Sequence, residues 1–134
     1  MNYKLNFYLF LLCSILFSDN NLKFSANYLE NIIDDDIEKR IFNDNVIINN
    51  QTMILYTSKA IYEPNLQKVT LIGDVKMYDQ GDSLSCDKLI LYDQQYKNFE
   101  SIGNINFYKG SQYIKCEHLL YNELSINNDI KIEL

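Results

Sequence analysis

An all-β fold, an antiparallel β-jelly-roll or V-shaped roll, is predicted by three observations. Residues 70–93 (TLIGDVKMYDQGDSLSCDKLILYD) and 100–122 (ESIGNINFYKGSQYIKCEHLLYN) are two copies of one pattern at a constant offset of thirty. Within each copy apolar and polar residues alternate, so that Val69, Leu71, Val75 and Met77 share a face, as do Phe99, Ile105 and Phe107. The side chains that dominate, Ile, Tyr, Val, Thr and Phe, favour strands.

The elements follow in order. Residues 1–25 read as a signal peptide or N-terminal membrane anchor: Lys4 precedes an apolar run from Leu5 to Phe17, which ends at Ser18, Asp19 and Asn20. That run is shorter than the ~20 residues of a spanning helix. Cleavage after Ser18 or Ala26 would place the large Leu16 or Phe24 two positions ahead, where small side chains are preferred, so an uncleaved anchor stays open. Cys13 reads as apolar filler, because Leu11 and Leu12 stand where a lipid-modified cysteine needs small residues.

Residues 26–134 form the folded unit. The stretch FSANYLENIIDDD suggests a first strand followed by a hairpin, with Asp34, Asp35 and Asp36 as a solvated turn. A fainter copy comes next: Phe42, Val46 and Ile48 stand twenty-nine residues before Leu71, Val75 and Met77, and Ala60 and Tyr62 close it. Breaks at Asn49-Asn50, Gln80-Gly81-Asp82 and Gly110-Ser111 divide each copy into two strands of about seven to ten residues. The connections YEPNLQK and YDQQYKN are polar. The last stretch, INNDIKIEL, places Ile130, Ile132 and Leu134 on one face of a further strand.

A two-stranded unit cannot bury its apolar face alone, so the units must stack and share an interior. Gly73 and Gly103 fall on inward-facing positions of that pattern, which predicts a bulge, a bend or close backbone approach, or else room for a ligand chain.

The chain of 134 residues fits one domain, and its twelve basic against eighteen acidic residues give a net charge of -6. Nucleic acid and anionic surfaces are repelled by that charge. Cys86 and Cys116 occupy equivalent positions in adjacent copies, which suggests neighbouring strands and leaves open a disulfide or two buried thiols. They and His118 are too few for a zinc site. His118 aligns with Lys88 and is expected to face solvent; the repeating Asp87 and Glu117 read as turn or ladder chemistry. No nucleophile, phosphate loop or paired-histidine motif is visible, so neither an enzyme nor a cofactor is expected.

These residues resemble the OstA-like repeat of the lipopolysaccharide-transport periplasmic proteins, the family of LptA, LptC and the N-terminal part of LptD. The second copy supplies Gly73, Asp74, Val75, Leu84, Cys86, Asp87 and Tyr92; the third supplies Gly103, Asn104, Ile105, Ile114, Cys116, Glu117 and Tyr121. The first copy departs, with Asp44 for the glycine and Thr57 or Ser58 for the aspartate. The resemblance spans residues 26–134. It implies a periplasmic protein of the Gram-negative envelope that holds lipopolysaccharide by its lipid A acyl chains and pairs with other jelly-roll transport proteins, or with itself head to tail, in outer-membrane biogenesis. The lining expected for such a lipid-binding groove is Phe42, Val46, Ile48, Leu71, Val75, Met77, Phe99, Ile105 and Phe107, with Ile54, Leu84 and Ile114 from the second strands. The docking edges expected are the first strand, with Asn27 and Leu29, and the last, with Ile130, Ile132 and Leu134. The alternative is a structural β-repeat scaffold, or a membrane-anchored LptC-like component, with a packed interior and no lipid conduit.

Overall fold

The structure is a computed structural model and describes residues 22–92, 98–122 and 130–132. Residues 1–21 of the expected leader (1–25), most of the YDQQYKN connection (93–97) and Leu134 lie outside the described residues. Among the described residues nine strands form one antiparallel sheet: β1 (Lys23–Ser25), β2 (Tyr28–Asp34), β3 (Ile37–Asn49), β4 (Met53–Glu63), β5 (Lys68–Asp79), β6 (Asp82–Tyr92), β7 (Asn98–Lys109), β8 (Gln112–Tyr121) and β9 (Ile130–Ile132). From β3 onward each strand pairs with the next in sequence, while β1 and β2 lie end to end along the outer edge of β3. The sheet begins at Lys23, ahead of the expected boundary at residue 26, because Phe24 pairs with Ile48 and packs on the core.

Turn chemistry matches the sequence. Asp35 and Asp36, both at positive φ (48° and 60°), make the two-residue β2–β3 hairpin, and Gln80 and Gly81 (48° and 93°) make the one between β5 and β6. The polar linker after β4 holds a single 3-10 turn, Pro64–Leu66.

The strands run ten to thirteen residues from β3 to β8, longer than the seven to ten expected. The reason lies at mid-strand. In β3, β5 and β7 two consecutive residues sit in the left-handed region: Asp44-Asn45, Gly73-Asp74 and Gly103-Asn104. Each pair faces one residue of the following strand (Ser58, Asp87 and Glu117), and the register shifts there. These are bulges in a continuing strand, and they sharpen its bend and twist.

The bend folds the sheet onto itself. Along β7, Phe99 and Phe107 would stand about 26 Å apart in a straight strand, yet their ring centroids are 6.0 Å apart. Phe24, beside Ile48, likewise stacks on Phe42 at 4.5 Å, although Phe42 precedes Ile48 by six residues. Two walls therefore face each other across one apolar interior, joined along the bulge line. Every cross-wall contact just named is between side chains, since strand pairing runs only between neighbours along the sheet.

The even strands keep the alternation in step differently. Inward residues switch parity at the bend, from Thr57 to Ala60, from Cys86 to Leu89 and from Cys116 to Leu119, a gap of three. The odd strands show a gap of four, as from Leu71 to Val75 or Ile105 after Ser101. The bulge supplies the extra residue.

Glycine at the bulge answers a steric demand. A Cβ on Gly103 (φ +83°) would lie 2.6 Å from Asp87 Oδ2, and one on Gly73 would lie 3.2 Å from Ser58. Asp44 can replace glycine in the first copy because it lies against the break between β1 and β2, where its carbonyl accepts from the Asn27 N–H at 2.9 Å, and because aspartate tolerates this backbone region. Gly103→Ala is therefore expected to lower unfolding free energy by about 2–4 kcal/mol, combining left-handed strain with displacement of Asp87. Gly81→Ala, with nothing within 4 Å of the new Cβ, should cost only about 1 kcal/mol. Urea titrations of the two variants check the difference.

Candidate functional site

The interior is where ten of the twelve expected lining residues meet as buried side chains: Phe42, Val46, Ile48, Leu71, Val75, Met77, Leu84, Phe99, Ile105 and Phe107. Ile114 is half-buried and packs on the same core. Ile54 is the correction. It lies on the outer face, in register with Asn49 and the exposed Tyr78. The first copy stands twenty-nine residues before the second, so the counterpart of Leu84 is Leu55, fully buried, and applying the later offset of thirty lands one residue early. A one-residue slip in a strand moves a side chain to the opposite face.

Several interior residues escaped the sequence reading, among them Met53, Leu89, Leu91 and Leu119. The parity switch of the even strands hides the three leucines, and the signal was the run of apolar residues after Asp87 and Glu117, displaced by one from the alternation before it; Met53, in step with Leu55, is lost by the same one-residue slip as Ile54.

Small residues finish the bend. Thr57 Oγ1 lies within hydrogen-bond distance of the carbonyls of Gly73 (2.9 Å), Ile72 (3.1 Å) and Lys59 (3.3 Å). In the next copy the Cys86 thiol donates to the Lys88 carbonyl at 3.4 Å, and Cys116 meets the His118 backbone in the same way. Both cysteines are free and buried. They are not on neighbouring strands: β7 lies between β6 and β8, about 10 Å for two strand spacings, beyond the ~7 Å that a disulfide spans. Their recurrence is a packing and bend-capping device.

Carboxylates close the outer side of the bend. Asn104 donates its backbone N–H to Glu117 Oε2 at 3.0 Å and its side-chain amide to Asp87 Oδ2 at 2.9 Å. The repeating acidic residue therefore satisfies donors exposed by the bulge, as ladder chemistry predicts. His118, half-exposed on the outer face, contacts Glu100 at 2.6 Å. Among the described residues no group of three or more His, Cys, Asp or Glu side chains could hold a metal ion.

The mouth of the roll is where the far ends of the walls approach. Phe99 and Tyr121 of one wall stack at 4.9 Å and meet Phe107 of the other edge-on. Lys109 crosses the mouth, its Nζ 3.3 Å from Asp82 and 5.3 Å from the centre of the Tyr121 ring. A cavity of about 210 Å³ opens here, lined by Met53, Met77, Phe99, Phe107, Lys109 and Tyr121. A larger groove, about 1060 Å³, lies outside the bend of β3 to β5 against Asn27, Asp44, Tyr56, Asp74 and Lys76; of the expected lining it reaches only Val46.

The two sheet edges fall where expected. β2 pairs only with β3, and every residue of it is exposed, including Leu29 at 63% and Ile33 at 72%. Asn27 precedes it, with its N–H already engaged. At the other end β9, with Ile130 and Ile132, pairs only with β8 among the described residues.

No protein-family model matches the chain, and no curated protein matches it in sequence. Among solved structures, LptH from Pseudomonas aeruginosa, described as the LptA-homologous periplasmic component of a conserved lipopolysaccharide transport device, matches with a TM-score of 0.70 at 12% identity. The match covers 85% of this chain and 84% of that one.

Burial pushes the Cys86 thiol up to about 11. In the unfolded chain this thiol ionises near pH 8.5. Stability is thus whole below that pH and is lost as pH rises toward 11, because only the unfolded thiol can ionise. Both cysteines should resist thiol reagents at pH 8 until denaturant unfolds the protein, and the urea midpoint should fall between about pH 9 and 11. Chain and neighbour thus share one architecture: this protein has an LptA-like β-jelly-roll fold.

Proposed function

We propose that this chain is a periplasmic lipopolysaccharide-binding protein that holds its ligand by the lipid A acyl chains and passes it toward the outer membrane. The observation that carries the proposal is the interior itself, two apolar walls with no backbone hydrogen bonds across their mouth among the described residues, in the fold of a lipopolysaccharide-transport component. Parting the walls costs side-chain contacts only, and acyl chains replace them in kind. Each methylene removed from water contributes roughly 0.8 kcal/mol, so the net charge of -6 does not oppose binding.

In this reading the lining is Phe42, Val46, Ile48, Leu71, Val75, Met77, Leu84, Phe99, Ile105, Phe107 and Ile114, with Leu55 in place of Ile54. The edges at Leu29 in β2 and at Ile130 and Ile132 in β9 add strands of other jelly-roll transport proteins, or of a second copy, by backbone pairing. Residues 1–21 export the chain or anchor it to the inner membrane. Cleavage after Ser18 keeps β1, whereas cleavage after Ala26 removes Phe24 from its stack on Phe42, so the earlier site is the compatible one.

A photo-crosslinking residue at Met77, which lines the mouth, should capture lipopolysaccharide in cells, while one at the outward Lys76 should not. Capture at neither, in a protein shown to be exported and folded, would replace this proposal with a structural module whose interior stays closed.

A further inference from the structure

The inward position next before the bulge is equivalent in the three copies and is held by Phe42, Leu71 and Ser101. All three are buried, and Ser101 is fully so, flanked across the sheet by Leu89 and Leu119, also at 0% exposure. A hydroxyl thus stands where the repeat otherwise places a large apolar group.

That hydroxyl is unsatisfied. Ser101 Oγ is the one buried side-chain polar atom among the described residues without a well-formed hydrogen bond. Its one polar interaction is a weak side-chain hydrogen bond with the Cys86 thiol, a poor acceptor whose own proton is directed to the Lys88 carbonyl. Thr57, the other buried hydroxyl at the bend, has three carbonyls within reach. Burying a hydroxyl without a partner destabilises a fold, so such a group calls for an explanation, and a partner atom supplied from outside the chain is one.

Depth indicates what that partner is. Ser101 lies two residues inward of Phe99, which lines the mouth, a descent of about 7 Å along the strand. An acyl chain seated tail-inward with its head at the mouth carries an oxygen three carbons from the head down to about 4 Å, roughly 3 Å short of Ser101, a gap that one hydrogen bond spans. We propose that Ser101 donates a hydrogen bond to a head-proximal oxygen, a chain hydroxyl or an ester carbonyl, of the bound acyl ligand, and so selects oxygen-bearing chains over plain hydrocarbon ones. The inference rests on the lipid-binding reading above and adds a specificity-determining residue to it. The pairing needs no charge on either side, and the same oxygen would otherwise enter the apolar interior unpaired, which disfavours its binding.

The test uses the exported full chain and two probes of equal length, dodecanoic acid and 3-hydroxydodecanoic acid, each displacing a fluorescent fatty acid. Wild type should prefer the hydroxylated acid by about fivefold or more, the worth of one neutral hydrogen bond. Ser101→Ala should bind both acids alike and unfold at no lower urea concentration, whereas Ser85→Ala on the outer face should keep the preference. A merely structural Ser101 would shift the unfolding midpoint and leave the preference intact. Equal affinity of wild type for the two acids, a comparison that needs no variant, overturns the inference, as does a preference surviving Ser101→Ala. Binding of neither acid nor lipopolysaccharide by wild type would instead sink the lipid-binding reading itself.

Discussion

A sheet with one apolar face must cover it, and the described residues bring no second layer to do so: their regular structure is strands and one 3-10 turn. The only surface available to cover the face is the same face further along each strand. Everything else follows from that constraint. The strands must bend at mid-length, the bends must align from strand to strand, and the backbone groups freed at each bend must find partners. The three left-handed pairs in β3, β5 and β7 supply the bend. Thr57 and Cys86 take up inner carbonyls, and Asp87 and Glu117 take up outer donors. Residues that read in sequence as a loose motif are one device, repeated with drift.

Closure by self-contact differs physically from closure of a barrel. A barrel joins its first and last strands by a hydrogen-bonded ladder, whereas the walls here meet through rings and aliphatic side chains. The aromatic contacts concentrate toward the two ends of the sheet: Phe24, Phe42 and Tyr62 near β1, and Phe99, Phe107 and Tyr121 near β8. Between them the interior is mainly aliphatic, with Leu71, Leu84, Leu89 and Leu91. Aliphatic packing is non-directional, which is what the proposed exchange of one wall's side chains for an acyl chain requires. Aromatic ends, with larger contacts per residue, hold the walls together more firmly than the aliphatic middle.

How much of this was legible in the sequence depended on which symmetry a residue obeyed. The period of two and the copies at an offset of thirty placed Leu71, Val75, Ile105 and Phe107 correctly inward, and the hairpin turns at Asp35-Asp36 and Gln80-Gly81 followed from turn chemistry. Ile54 went astray because one connection is a residue shorter than the other, which is invisible unless the offset is measured copy by copy. The bulge or bend expected at Gly73 and Gly103 stands where the sequence put it, and strand length was underestimated because each strand continues through its bulge. The cysteines show the same limit. Equivalence in the repeat placed them on equivalent strands, and equivalent strands in a two-strand unit are never adjacent.

Repetition also gives a way to separate architecture from function without any relative to compare. Positions where the copies agree, such as Val46, Val75 and Ile105, report what the roll needs in order to close, and each is buried at 1% exposure or less. Positions where the copies disagree against the packing logic report something else. Asp44 for glycine is explained by its place at the break between β1 and β2, where its carbonyl accepts from the Asn27 N–H and aspartate tolerates the left-handed backbone. Ser101 for leucine has no such local explanation, since its neighbours are fully buried leucines and its hydroxyl lacks a well-formed hydrogen bond. That hydroxyl lies on the face that the two walls share, a short step from the mouth. A fold that covers itself by side-chain contact alone exposes that face whenever it opens, and there a polar group that weakens the closed state can favour the occupied one.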